Sequence, residues 1–284
     1  MLRGKHCTGN HYSLVIDHDA DVYTVDKRLL LRFRKAVLDQ NHVGGAYENI
    51  INFAKGKNAP LRHGNKTPGS SRGASNIAGY FDTWDQTHKR MFRDLGVDPP
   101  SSVRETSFTA NQPHRWRAVV PLIEDIDRMY KKLTPEYHKN QHALSSQTAY
   151  RISSTSFSTI TVNVNVQTAF HTDSNNVQGS YGNLIVMGEG DYTGGFTVMP
   201  RYGVAIDVRP KDFLAMDVHE MHGNSKINLR NAESIRLSMV CYLRQGVLDK
   251  SRGTTQKDLR ENKKALDDVH EHWRSYNAVK NQRR

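Results

Sequence analysis

"TITVNVNVQTAFHTDSNN", residues 159–176, alternates with a period of two. Ile160, Val162, Val164, Val166 and Phe170 fall on one face, and Thr161, Asn163, Asn165, Gln167, His171 and Asp173 on the other. Successive side chains of a strand point to opposite faces, so the stretch reads as a strand with one buried and one polar face. A plain surface strand carries Lys, Glu or Thr outward. This one carries amides and ends in a His and an Asp two residues apart, side by side on one face.

The same region, 147–245, is β-rich throughout. The runs "GNLIVMGEG", "GGFTVMP", "GVAIDV", "FLAMDVHEMH" and "SIRLSMVCYLR" are short, strand-like and separated by Gly-containing turns. That spacing predicts a sandwich or jelly roll. Outward from it, "PHRWRAVVPLIEDIDRMYKKL" has helical spacing, with Pro113 in a first turn and Pro121 predicting a kink. The chain from 246 ends in a charged amphipathic helix, its packing stripe Leu259, Leu266, Val269, Trp273 and Tyr276. Nearer the N-terminus, "DKRLLLRFRKAVLDQ" (26–40) reads as a helix, and residues 55–82 as a long basic Gly/Ser/Asn loop. The fold class is α+β, in one catalytic domain over 1–284. An N-terminal α+β segment with the basic loop spans 1–110, a supporting helix 111–146, the β core 147–245 and a C-terminal helix 246–284.

Composition narrows the function. The chain has 284 residues, 37% of them hydrophobic, enough for one large core. No run approaches the roughly 18 apolar residues of a membrane span, and the first residues show no apolar signal region. Two cysteines, Cys7 and Cys241, give no disulfide framework and suit a reducing, cytoplasmic compartment. The net charge is +11 and the pI about 9.6, the footprint of a nucleic-acid binder.

His171 and Asp173 supply two neighbouring ligands to one ion. A third is offered by "KDFLAMDVHEMHGN", where His219 and His222 follow an apolar strand. His222 precedes Gly-Asn and lies nearer the strand end, which makes it the better placed of the two. Two histidines and a carboxylate form the facial triad of non-haem Fe(II) oxygenases, with positions open for a co-substrate and O2. Zinc also accepts such ligands. Arg236 and Ser238 share one face of an otherwise apolar strand, and a buried Arg there needs a partner. A guanidinium fork matches a carboxylate, so the expected co-substrate is 2-oxoglutarate, which favours iron over zinc. Ser238 is assigned to the co-substrate. Asn163, Asn165 and Asn175 are candidates to read a base, since amides both donate and accept, with holding the co-substrate or satisfying backbone groups as the alternative; Asn163 is set with the co-substrate, Asn165 and Asn175 with the base. Arg62, Lys66, Arg72 and Arg104 are candidate phosphate contacts.

The segments "SSRGASNIAGYFD", "STITVNVNVQTAFHTD", "DVHEMHGN" and "RLSMVCYLR" resemble the TET/JBP family of Fe(II)/2-oxoglutarate dioxygenases, most closely its compact bacteriophage members. The resemblance runs over roughly residues 70–245. It implies a double-stranded β-helix core, iron on His171, Asp173 and His222, and Arg236 on the distal carboxylate of 2-oxoglutarate. It also implies a DNA substrate, oxidised at the methyl group of 5-methylcytosine (the TET branch) or thymine (the J-base branch), in the host cytoplasm if the gene is a phage's. The substrate base has to be flipped out or already single-stranded, because a stacked base cannot present its methyl to a buried iron. 5-Methylcytosine is slightly favoured. A hydroxylase of proteins or small molecules, and a non-catalytic DNA-binding module, are the rival readings.

Overall fold

A computed structural model describes residues 2–56 and 74–282. Arg62, Lys66 and Arg72, with most of the basic loop, lie outside the described residues. In chain order the N-terminal part gives β1 (Leu14–Ile16), β2 (Ala20–Tyr23), β3 (Leu29–Arg34), α1 (Gln40–Ala54), β4 (Ala74–Phe81), α2 (Gln86–Leu95), β5 (Arg104–Glu105), α3 (Ser107–Asn111), α4 (Pro113–Leu133) and α5 (Pro135–Ser145). Then come β6 (Thr159–Val164), β7 (Gly182–Glu189), β8 (Tyr192–Gly194), β9 (Thr197–Met199), β10 (Val204–Ile206), β11 (Phe213–Met216), β12 (Gly223–Asn224), β13 (Ile227–Leu229) and β14 (Ile235–Tyr242). The helices α6 (Gln245–Ser251) and α7 (Gln256–Gln282) close the chain.

The strands form a jelly-roll sandwich. Its large sheet has the order β2-β3-β11-β7-β14-β6-β4-β5, and the small one β1-β10-β9-β12. Along β6 the apolar set Ile160, Val162 and Val164 meets Leu237, Met239 and Cys241 of β14 under α1 and α4. The opposite face of the large sheet packs Leu184, Val186, Leu214 and Met216 against Met199, Val204 and Ile206 of the small sheet. Each such aliphatic side chain contributes on the order of 1.5–3 kcal/mol by leaving water. The polar face of the opening stretch therefore looks into the space between the sheets.

Three expectations are corrected. The helix read at 26–40 is strand β3, which pairs with both β2 and β11. Leu30, Leu31 and Phe33 are all fully buried there, and sheet pairing outweighs the helical spacing of a short apolar run. The helix follows instead as α1, where the Asp39 side chain accepts the N–H groups of Asn41 and His42 and caps it. Secondly, β6 is shorter than the alternation suggests. It stops at Asn165, whose φ of +52° is left-handed, and irregular backbone leads on to His171. Thirdly, the β core is not contained in 147–245: β1 joins the small sheet and β2 to β5 the large one. Helix α4 runs unbroken through Pro121, and α7 lies where the amphipathic pattern puts it.

Candidate active site

The end of the sandwich is closed by a two-residue bridge. His171 N–H donates to the His222 carbonyl and His222 N–H to that of His171, each at 2.9 Å, and the two rings stand 4.5 Å apart. The irregular chain after Asn165 is what carries His171 across to this position. Asp173 is pinned by its N–H on the Val218 carbonyl, 2.9 Å away.

The rings are oriented from behind. Nδ1 of His171 lies 2.8 Å from the Ala169 carbonyl oxygen, and Nδ1 of His222 lies 2.9 Å from that of Glu220. Only a protonated Nδ1 can make those contacts, so in the neutral rings Nε2 is the nitrogen free to bind a metal, on the side where Asp173 stands. His171 Nε2 is 3.4 Å from Asp173 Oδ1, and His222 Nε2 is 3.8 Å from Oδ2. One ligand atom from each of the three lies within 4.8 Å of the others, the geometry of a mononuclear metal centre. Burial would raise the Asp173 pKa, but a hydrogen bond from His171 and the positive charge that His171, His222 and His219 bring when protonated hold it below its ordinary value. Burial and the nearby His171 push His222 down, towards the neutral form that a metal ligand must have. Two imidazoles and one carboxylate fit Fe(II) with coordination positions to spare. His222 is buried while His171 and Asp173 reach the surface, so the centre opens on their side.

His219 does not join this cluster. Its Nε2 faces the Val177 carbonyl at 3.4 Å and its N–H is held by Asp217. The two histidines left open by the sequence are thus separated by a turn at 217–222.

Arg236 stands on the inner face of β14 beside β6, where Ser238 is level with Asn163. It is 2% exposed, and its Nε and Nη2 have no hydrogen-bond partner among the described residues. Its burial lowers its pKa, with the Tyr192 hydroxyl nearby working the other way. The guanidinium is approached closely by the backbone at Gly195. A Cβ there would come within 2.8 Å of Nε, and φ is +72°. Two unpartnered N–H donors in a dry fork are what the end carboxylate of a dicarboxylic acid satisfies. The residues present therefore fit 2-oxoglutarate as well as iron. Ser238 is buried and Asn163 half-buried on the same face.

The other sequence candidates stand apart from the metal ligands. The Asn165 amide is bonded to the backbone of Arg236 and Ser234, so it positions the arginine and is not available to a base. Asn175 is exposed, with its carbonyl accepting from Gln245 N–H. Arg104 is tied to the Thr83 and Glu105 carbonyls and lies over Phe81. Sequence reasoning placed an N-terminal α+β segment but missed that its first residues pack against the site. Gln167 reaches the Cys7 and Asn224 carbonyls, and the backbone of Phe170 pairs with Gly4 and Lys5. Three-residue segments with no periodicity offer no pattern to read; Gly4 was the only signal.

Comparison with known proteins bears on this site. The Tet_JBP family, described as the oxygenase domain of the 2OGFeDO superfamily, matches residues 91–245. Thymine dioxygenase JBP1 of Trypanosoma brucei brucei is 36% identical over 172 residues, which take in 60% of this chain and 19% of that protein. Thymine dioxygenase JBP1 of Crithidia fasciculata is 33% identical over 175 residues, 61% of this chain and 20% of that protein. The chain thus spans about a fifth of the length of these relatives. Among solved structures, NgTET1 in complex with 5mC DNA superposes with a TM-score of 0.57 over 89% of this chain and 88% of its own, at 16% identity. That likeness is one of fold.

Proposed function

The chain belongs to the Tet_JBP family of oxygenase domains in the 2OGFeDO superfamily, and from this we propose that it is an Fe(II)/2-oxoglutarate-dependent dioxygenase that hydroxylates the 5-methyl group of a pyrimidine in DNA. The observation that carries the reading is a pairing. A buried guanidinium with two unpartnered donors sits on the strand beside the one that leads into His171, Asp173 and His222. A zinc hydrolase has no use for such an anchor.

Loaded with iron, 2-oxoglutarate and O2, the site supplies the oxidising chemistry: a methyl C–H becomes C–OH while the co-substrate becomes succinate and carbon dioxide. The residues do the rest. His171 and His222 present Nε2 because their Nδ1 protons are spent on Ala169 and Glu220. Asp173 brings the negative charge. Arg236 binds the distal carboxylate, with Ser238 and Asn163 beside it, and Asn165 holds the arginine's backbone. Apolar residues of both sheets keep water away from the reacting centre.

The substrate base enters from the open side, flipped from a duplex or offered by a single strand. A net charge of +11 favours a polyanionic partner over a protein or small-molecule substrate. The relatives from Trypanosoma and Crithidia carry the name thymine dioxygenase, which favours thymine. The NgTET1 complex holds 5mC DNA, which keeps 5-methylcytosine as the second reading. Among the described residues no helix is long and apolar enough to cross a membrane. Cys7 and Cys241 are free and buried, in keeping with a reducing cytoplasm. The test offers the protein iron, 2-oxoglutarate and DNA containing both bases, followed by mass spectrometry of the nucleosides. Hydroxymethyl product from either base supports the reading; product from neither refutes it.

A further inference from the structure

Basic side chains near the loop that carries His222 are neutralised by carboxylates. Arg28 is paired with Asp217 and Glu220 on the loop that carries His222, and Arg201 with Glu220. Arg209 is paired with Asp207. Arg3 differs: it is exposed, and among the described residues no carboxylate pairs with it.

Its position is built. Lys5 N–H donates to the Leu2 carbonyl at 2.9 Å, closing a tight turn with Arg3 and Gly4 at its corners. Gly4 has φ of +81°, a backbone that glycine alone takes without strain. The turn is then fastened to the residue before the metal ligand His171. Gly4 N–H donates to the Phe170 carbonyl at 2.8 Å, and Phe170 N–H to that of Lys5 at 2.9 Å. Leu2, Cys7 and Tyr12 anchor the segment in a small apolar cluster with Phe170 and Met221, the neighbours of both histidine ligands.

We propose that this turn is a phosphate clamp, in which Arg3 takes the 5′-phosphate of the target nucleotide. In a pyrimidine nucleotide the 5 and 6 positions lie on the edge that faces the nucleotide's own 5′-phosphate. A base aimed methyl-first at the metal therefore carries that phosphate to the rim, where the fastened turn presents an unpaired arginine. The inference rests on the DNA reading above and assigns one residue to it.

The test is binding without turnover. A fluorescent single-stranded oligonucleotide containing thymine and 5-methylcytosine is titrated with the full chain, 2-oxoglutarate omitted, across a salt series. Arg3→Gln should weaken binding several-fold and reduce the slope of log affinity against log salt by about 0.7, one phosphate contact on a single strand. Arg3→Lys should keep the slope. Lys132→Gln, the same charge change on the exposed end of α4 behind the large sheet, should also keep it. An Arg3→Gln slope equal to the parent's, or an equal fall with Lys132→Gln, overturns the clamp while leaving the DNA reading intact. A parent that binds no oligonucleotide at low salt overturns both.

Discussion

The side-chain oxygen of Asn165 accepts the backbone N–H of Arg236 at 2.8 Å, while Asn165's own N–H donates to the Arg236 carbonyl at 2.9 Å. This double grip explains why the polar alternation ends here. Asn tolerates the left-handed φ of +52° better than most residues, and in that conformation its amide turns onto the next strand. Asn165→Gly keeps the backbone and loses the acceptor; Asn165→Ala loses both. Leaving the Arg236 N–H unmet costs about 1–3 kcal/mol, so both variants should unfold at lower temperature and bind 2-oxoglutarate several-fold more weakly, Ala more than Gly. Calorimetric titration decides it. An unchanged dissociation constant in Asn165→Gly would mean the amide does not position Arg236.

Arg236 itself trades stability for binding. A guanidinium buried with two unpartnered donors is costly, whereas an apolar side chain of similar length is not. Arg236→Met should therefore raise the melting temperature of the ligand-free protein and abolish the further rise that 2-oxoglutarate gives the parent. Arg236→Lys keeps the charge but not the fork, and should bind at least tenfold more weakly than the parent. Scanning calorimetry with and without 2-oxoglutarate reads both effects. A ligand-free Arg236→Met that melts well below the parent contradicts the account.

His219 and His222 differ by three positions but face different partners. His222 Nε2 looks at Asp173, His219 Nε2 at a carbonyl. In a Co(II) titration followed by absorbance, His222→Ala should lose at least tenfold in affinity, since even residues that only orient metal ligands are worth about 10–100-fold. His219→Ala should bind Co(II) within about twofold of the parent. The reverse ranking would assign the third ligand to His219.

How much of this was legible beforehand follows from where the information lies. The His171-x-Asp173 pair, His222 and Arg236 fall within or just beyond runs of clear two-residue periodicity, so their spacing announced the sandwich and the candidate ligands while leaving His219 and His222 to be separated by the turn between them. Strand β3 did not announce itself, because Leu29, Leu30, Phe33 and Val37 satisfy a helical spacing equally well and only pairing with β2 and β11 decides between them. Asn165 was misread for a related reason. Periodicity assumes that a strand continues, and a single left-handed residue turns a pocket-facing amide into a backbone clamp. Arg104 carries a charge like any surface arginine, and its use on the Thr83 and Glu105 carbonyls is a tertiary fact.

Asp127 provides a test of the scaffold that is independent of the metal. On α4 it accepts from the Ser156 N–H at 2.9 Å and from the Ser156 hydroxyl, and it lies 3.2 Å from His138 Nε2. Burial alone would raise its pKa, but His138 and Ser156 outweigh it and hold the carboxyl below its ordinary value. A carboxylate whose folded pKa is depressed contributes stability that is fully present above its unfolded pKa of about 3.9 and is lost as pH falls through the lower folded value. Asp127→Asn should cost about 1–3 kcal/mol at neutral pH, and the gap to the parent should narrow below pH of about 4. Urea unfolding at neutral and acid pH measures it. A gap that stays constant through the acid range would show that the ionised carboxylate is not what ties α4 to the start of β6.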